Sequence, residues 1–116
     1  MKKTNGVTPR ARSWALACEL IPVSGLADSV WNQGAREVVT GLLLHVQKIR
    51  PSLTLKQAAR AAAVLLAGDY HQIFEAATRE NPEAAAFLAG GPDNEAVLCL
   101  LMQVGAALSP ASLADL

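Results

Sequence analysis

The chain has 116 residues, a net charge of zero at neutral pH, 52% hydrophobic residues and only 4% aromatic ones. This length fits one domain with its own core, and the abundance of alanine and leucine with few β-branched runs predicts helices packed on helices. No apolar run reaches the roughly 20 residues of a membrane span, and the basic start lacks the apolar stretch of a signal peptide, so we expect a cytoplasmic protein.

The start of the chain divides into an arm and a short helix. Residues 1–12 are polar and basic, which predicts a flexible arm, and a vector-derived origin is one interpretation of it. The domain itself is predicted to span residues 13–116. It begins with a helix over residues 13–20, which Pro22 ends.

The strongest pattern in the sequence predicts a long central helix. Apolar and small residues recur at spacings of three and four over residues 27–49, and Pro51 stops the pattern. The leucines at 42–44 are apolar on more than one face, which predicts a central position. Gly34 and Gly41 lie seven residues apart on one face, which predicts a close helix crossing there.

The rest of the chain predicts several more helices. Thr54, Asp69 and Asn81 are the predicted N-caps of helices over residues 55–67, 70–80 and 83–89. Gly68 is the predicted C-terminal stop of the first of these three. A last long helix over residues 92–108 is apolar on all sides between 96 and 102, so we expect it to be buried, and a final turn starts at Ser109. The predicted fold is all-α: a compact bundle of six or seven helices, two of them long and largely buried.

The sequence contains no recognisable catalytic pattern. No phosphate-binding loop is present, and His45 and His71 lack a second ligand one turn away, so a metal site would need ligands assembled by the tertiary structure alone. His45 is predicted to border the core and His71 to lie on the surface. Cys18 and Cys99 are predicted to be two buried, reduced thiols. We therefore expect no catalytic residue, no metal and no cofactor.

Charge is distributed unevenly along the chain. Residues 1–60 carry nine basic and three acidic side chains, and residues 61–116 carry one basic and seven acidic ones. Such polarity biases the choice of partner and the rate of encounter. The alternative is that the two halves neutralise each other across the fold, and the sequence leaves both interpretations open.

A nucleic-acid partner is one alternative. The helices predicted over residues 55–67 and 70–80 have helix-turn-helix proportions, but Glu75 and Glu80 on the second helix oppose an approach to phosphate. The arm carries Lys2, Lys3, Arg10 and Arg12. These cations predict at most weak, non-specific contact with DNA.

One segment carries a family resemblance. Residues 29–42 read SVWNQGAREVVTGL, which resembles the F-W-x-x-G-A-R-x-L-x-x-G-L segment that opens the all-alpha domain of type IV secretion and conjugation coupling proteins (the TraD/TraG-like ATPases). Val30 stands where that family has phenylalanine. The resemblance extends over residues 13–116, mostly as helical character, and the matching motif residues are Trp31, Gly34, Ala35 and Arg36.

This resemblance implies a function. In that family the domain is inserted into a ring ATPase whose nucleotide-binding motifs lie outside it, on the cytoplasmic side of the inner membrane. It would be a receptor, not an enzyme, for translocation signals of relaxase or effector proteins, without direct membrane contact of its own. Because many such signals are basic, we expect the acidic second half to bind them. The candidate docking residues are Asp69, Glu75, Glu80, Glu83, Asp93 and Glu95.

Two motif residues have predicted structural roles, and other functions stay open. Trp31 is predicted to anchor the core, and Arg36 is predicted to pair locally as an ordinary surface cation. Besides a receptor and a DNA-binding domain, a structural bundle that only dimerises or spaces other domains would fit the sequence. An enzyme is the weakest alternative, since it needs a pocket that joins one of the two cysteines to one of the two histidines.

Overall fold

Seven α-helices, one short 3-10 helix and no strand make up the part of the chain that a computed structural model describes, residues 8–23 and 29–116. The α-helices are α1 (Pro9–Leu20), α2 (Val30–Ile49), α3 (Leu55–Leu65), α4 (Tyr70–Arg79), α5 (Ala85–Leu88), α6 (Glu95–Ala107) and α7 (Pro110–Leu113), with the 3-10 helix at Pro82–Ala84. The principal extents are 47 × 33 × 27 Å. The predicted all-α fold is confirmed.

The central element is α2, as predicted. Helices α1, α3, α4 and α6 all pack against it, so that its apolar side chains are covered from several directions. Val38, Val39, Leu42 and Leu43 have no solvent exposure at all. Complete burial of each such side chain stabilises the folded protein by about 1.5–3 kcal/mol. Helix α2 is therefore the main contributor to the core.

The predicted close crossing exists at Gly41. A Cβ atom placed there would lie 1.8 Å from the backbone oxygen of Ala77, so α2 and α4 approach each other backbone to backbone. Only a residue without a side chain fits at this point of α2.

The first helix begins earlier than predicted. Thr8 caps α1 through its hydroxyl, which accepts a hydrogen bond from the Ala11 amide at 3.0 Å, and Pro9 is its first residue. The predicted arm over residues 1–12 is therefore wrong for residues 9–12, because threonine followed by proline is a helix start. Residues 1–7, and residues 27 and 28 of the predicted second helix, lie outside the described residues.

Side-chain caps define α3 and α4 as predicted. Thr54 with Gln57 and Asp69 with Gln72 form reciprocal capping boxes. The predicted role of Gly68 is wrong, because α3 ends at Leu65 and Gly68 does not adopt a left-handed conformation. Tighter hydrogen bonds, including Gly68 amide to Leu65 carbonyl at 3.0 Å, close the helix instead.

The second long helix differs from its prediction. Leu98 and Met102 on α6 are 47% and 74% exposed, whereas Val97, Leu100 and Val104 are buried. The helix therefore covers the core with one face and leaves an apolar face at the surface. Its sequence is apolar on all sides, so periodicity could not distinguish the two faces.

Candidate protein-binding site

The six acidic residues predicted as a docking surface do not form one cluster. The Glu80 carboxylate lies 3.1 Å from the Lys48 ammonium, and the Glu83 carboxylate lies 3.7 Å from the Arg10 guanidinium. The carboxylate of Asp69 caps α4 by accepting the Gln72 amide. At two of these residues, the acidic half of the chain thus neutralises cations of the basic half.

The other three acidic residues remain available. Glu75, Asp93 and Glu95 are exposed and form no ion pair with any residue in the described ranges. Asp93 and Glu95 flank Asn94 at the start of α6, whereas Glu75 lies in the middle of α4. Asp93 and Glu95 are therefore close in sequence at the start of one helix, and Glu75 lies on a different helix.

An apolar groove adjoins the Asp93–Glu95 pair. This groove, called the Trp31 groove below, has a volume of about 350 Å³ and lies between the start of α2, α5 and the start of α6. Its lining consists of Val30, Trp31, Ala86, Phe87, Gly90, Asn94, Ala96 and Val97. Asp93 and Glu95 do not line the groove themselves, but they are the sequence neighbours of the lining residues Asn94 and Ala96.

Trp31 has a different role from the one predicted. Its side chain is 47% exposed, so the prediction of a core anchor is wrong. Trp31 is the second residue of α2, close to the open N-terminal end of that helix. Half-exposed tryptophan in an apolar groove is typical of protein-binding hot spots.

Hydrogen bonds hold the groove walls in place. The Ser29 hydroxyl caps α2 by accepting the Asn32 amide at 3.0 Å, and the Asn94 side chain caps α6 by accepting the Val97 amide at 3.2 Å. The Gln103 side-chain amide donates to the side-chain oxygen Oδ1 of Asn32 at 2.5 Å, which ties α6 to α2. The groove is thus a preformed feature, and binding there avoids the cost of ordering its walls.

Gly34 sets the depth of the groove. A Cβ atom on Gly34 would lie 2.5 Å from Phe87 Cδ1 and 2.8 Å from Leu100 Cδ1. The missing side chain therefore lets the Phe87 ring pack directly on α2. Because Phe87 also lines the groove, this motif glycine positions one of the groove walls.

Arg36 is buried, contrary to its prediction as a surface cation. Only 2% of it is exposed, and its guanidinium donates to the Ile21 carbonyl at 2.6 Å and the Pro22 carbonyl at 3.1 Å. These carbonyls lie just after α1, where a positive charge is favourable to the helix dipole. Arg36 therefore has a structural role, joining α2 to the end of α1, and the motif residue Ala35 is fully buried in the core.

A second buried polar group was missed in the sequence. Asn81, predicted as a helix cap, makes no capping bond and is fully buried. Its amide donates to the Glu37 backbone oxygen at 2.7 Å and the Glu37 carboxylate at 3.0 Å, and its carbonyl accepts from Arg10 at 2.7 Å. The only local signal was the Asn-Pro pair, which indicates a cap and carries no information on these distant partners.

A polar cleft lies on another side of the molecule. His45 is half-buried and His71 exposed, as predicted. Burial and the nearby positive charge of Arg79 lower the pKa of His45, while Glu80 opposes this shift. Both His45 and Arg79 line a cleft of about 420 Å³ between α2, α3 and α4.

The described residues contain no group of three or more metal-ligating side chains. Within the same ranges, no helix combines the length and apolar character needed to cross a bilayer. Cys18 is a half-buried and Cys99 an exposed free thiol, so the prediction of two buried thiols is wrong for Cys99. Comparisons of the chain with models of protein families, with curated proteins and with solved structures gave no match.

Proposed function

We propose that this chain is the substrate-recognition domain of a type IV secretion or conjugation coupling protein, and that it binds translocation signals of relaxase or effector proteins. The resemblance of residues 29–42 to that family supports the proposal. The observation that carries it is the Trp31 groove, which holds an exposed tryptophan and whose lining residues Asn94 and Ala96 are flanked in sequence by Asp93 and Glu95, two carboxylates without an ion-pair partner among the described residues.

The groove and the acidic pair suit a basic signal with an apolar anchor. An aliphatic or aromatic side chain of the signal would pack on Trp31 and Phe87, where both surfaces lose water. Lysine or arginine side chains next to that anchor would approach Asp93 and Glu95. Because these carboxylates are exposed, they would raise the association rate more than the affinity, and salt would weaken their effect.

The proposed docking residues are therefore ranked by their other contacts. Asp93 and Glu95 come first, because they are exposed, adjacent and next to an apolar groove. Glu80 and Glu83 already neutralise Lys48 and Arg10, so a reversal of either charge would also break an ion pair within the chain. Asp69 and Glu75 lie outside the groove and are secondary.

A backbone-amide NMR titration tests the proposal. The ligand is the basic C-terminal segment of a candidate relaxase or effector, with a DNA oligonucleotide as the control. We expect chemical-shift changes on the N-terminal ends of α2 and α6 and on α5 with the peptide, and none there with DNA. Peptide-induced changes spread over unrelated surfaces, or none at saturating peptide, would contradict the proposal.

Matched charge reversals locate the site. Asp93→Lys with Glu95→Lys should weaken peptide binding strongly, because the acidic border of the groove becomes basic. Glu75→Lys with Asp115→Lys produces the same change in net charge at exposed positions outside the groove and should have a smaller effect. Equal losses in both variants would show that net charge, not this site, attracts the peptide.

The same titration addresses the alternatives. Arg10, one of the four cations in the predicted DNA-contacting arm, already contacts Asn81, Glu37 and Glu83, which leaves less positive charge for phosphate. DNA-induced changes centred on residues 2–12 would favour a nucleic-acid partner. A mass that rises with concentration, without any response to peptide, would favour a structural dimer.

The proposal also sets the cellular context. The parent coupling protein would be an ATPase at the inner membrane, with this domain facing the cytoplasm and contributing no catalytic residue. Recognition of a signal by the domain would then deliver a protein, or a protein bound to DNA, to the ATPase ring.

A further inference from the structure

The cleft between α2, α3 and α4 has the size of a small-molecule site. Its volume is about 420 Å³, within the common range for ligand sites. The aliphatic and the ionisable side chains of the lining come from different helices. Helix α3 supplies aliphatic surface, whereas α2 and α4 supply ionisable groups. The lining includes His45, Val64, Leu65, Glu75, Ala76 and Arg79. None of these residues belongs to the Trp31 groove.

The charges around the cleft leave one cation without a partner. Arg79 is exposed and forms no ion pair with any described residue, while its neighbour Glu80 is paired with Lys48 at 3.1 Å. The guanidinium is close enough to His45 to disfavour protonation of the imidazole. Glu75 is the other charged group in the cleft, and α3 contributes no charge to the lining.

The apolar wall is also uncovered. Val64 is 72% exposed, although it lies beside the half-buried Leu65 in the cleft lining. An aliphatic group seated there would remove apolar surface from water. The cleft thus offers a guanidinium and an imidazole on one side and an aliphatic wall on the other.

We propose that this cleft binds a small monocarboxylate that carries an aliphatic group, with the carboxylate on Arg79 and His45 and the aliphatic group on Val64 and Leu65. Guanidinium groups bind carboxylates through two parallel hydrogen bonds. The carboxylate of Glu75 in the same cleft disfavours a dianion such as phosphate. A free amino acid and the end of a peptide chain share the required chemistry.

The first experiment compares two probes that differ in one charge. N-acetylleucine and N-acetylleucinamide are titrated into the protein while NMR follows the imidazole of His45 and the guanidinium of Arg79. The carboxylate should shift both signals to saturation and raise the pKa of His45, because a nearby anion favours the protonated ring. The amide should do neither. Equal responses to the two probes, or no response to either, would overturn the proposal.

Variants and further probes complete the test. Arg79→Gln should weaken N-acetylleucine binding by roughly tenfold or more, whereas Arg50→Gln, which loses an exposed cation outside the cleft, should bind normally. Equal losses would overturn the proposal, and so would phosphate binding as tightly as N-acetylleucine. Tighter binding of leucine than of N-acetylleucine would support a free amino acid held by Glu75, and weaker binding would support a chain end.

Discussion

The middle and the N-terminal end of α2 meet their neighbours in different ways. At Gly41 the helix touches the backbone of α4, and the contact leaves no room for a single carbon atom. At the N-terminal end, Gly34 faces the side chains of Phe87 and Leu100, and Val30 and Trp31 are about half-exposed. The same helix is therefore enclosed at the crossing with α4 and open at the groove.

This difference separates folding from recognition. Around the enclosed part, buried polar groups such as Arg36 and Asn81 have hydrogen-bond partners. Substitutions there should reduce the stability of the folded protein. Around the open end, apolar side chains are only partly covered by the described residues. Substitutions there should mainly affect the binding of a partner. Substitutions along α2 test this distinction.

The largest effect is expected at the crossing. Gly41→Ala places a methyl group against the Ala77 carbonyl, which belongs to the backbone and cannot rotate away, so α2 and α4 must separate. We expect the free energy of unfolding to fall by more than about 3 kcal/mol in urea denaturation.

Two other glycines provide controls for that substitution. Gly105→Ala in α6 meets no atom within 4 Å and should stabilise the protein by up to about 1 kcal/mol. Gly34→Ala displaces side chains and should cost less than Gly41→Ala. A Gly41→Ala protein as stable as the Gly105→Ala protein would disprove the close crossing.

A smaller loss is expected at Arg36. Arg36→Met keeps a long side chain but removes the donors to the Ile21 and Pro22 carbonyls, at a cost of about 2–3 kcal/mol in unfolding free energy. Arg36→Lys retains the positive charge but lacks the planar guanidinium group, and its unfolding free energy should fall by less. Hydrogen exchange should show reduced amide protection first at the end of α1. Unchanged protection there would contradict a joining role for Arg36.

At the open end, binding should change more than stability. Trp31→Ala removes a half-exposed side chain, so the unfolding free energy should change by less than about 1 kcal/mol. Affinity for the basic peptide should fall by roughly 30-fold, the loss typical of a hot-spot tryptophan. Met102→Ser, at an exposed position on α6, is the control substitution. If it reduces the affinity for the peptide as much as Trp31→Ala does, the partner binds elsewhere.

The smallest effect concerns pH. Burial and Arg79 lower the pKa of His45 below its usual 6.5, so the unfolded chain binds this proton more tightly than the folded protein. The free energy of unfolding should therefore fall as the pH drops below about 6.5 and level off below the folded-state pKa. Urea denaturation of His45→Gln should show a flatter profile than that of the unsubstituted protein. Identical profiles for the two proteins would refute the shift.

The sequence predicted local features well and distant partnerships poorly. Helix starts at Thr54 and Asp69 depend on neighbouring residues, and the Gly41 crossing follows from a glycine inside a strong helical pattern. The burial of Arg36, the partners of Asn81 and the exposure of Trp31 depend on which helices lie opposite. The Asp93–Glu95 pair was predicted as part of a wider acidic surface, but its adjacent groove forms only when α2, α5 and α6 meet.

Both tryptophans of the chain lie at the surface, Trp14 at 36% and Trp31 at 47% exposure. Each ring is therefore in partial contact with water in the folded protein, unlike a tryptophan in a core. The fluorescence of Trp31 in its groove should respond when a partner excludes water from the ring. A Trp14→Phe protein would carry a single built-in optical reporter of occupancy, without any attached dye.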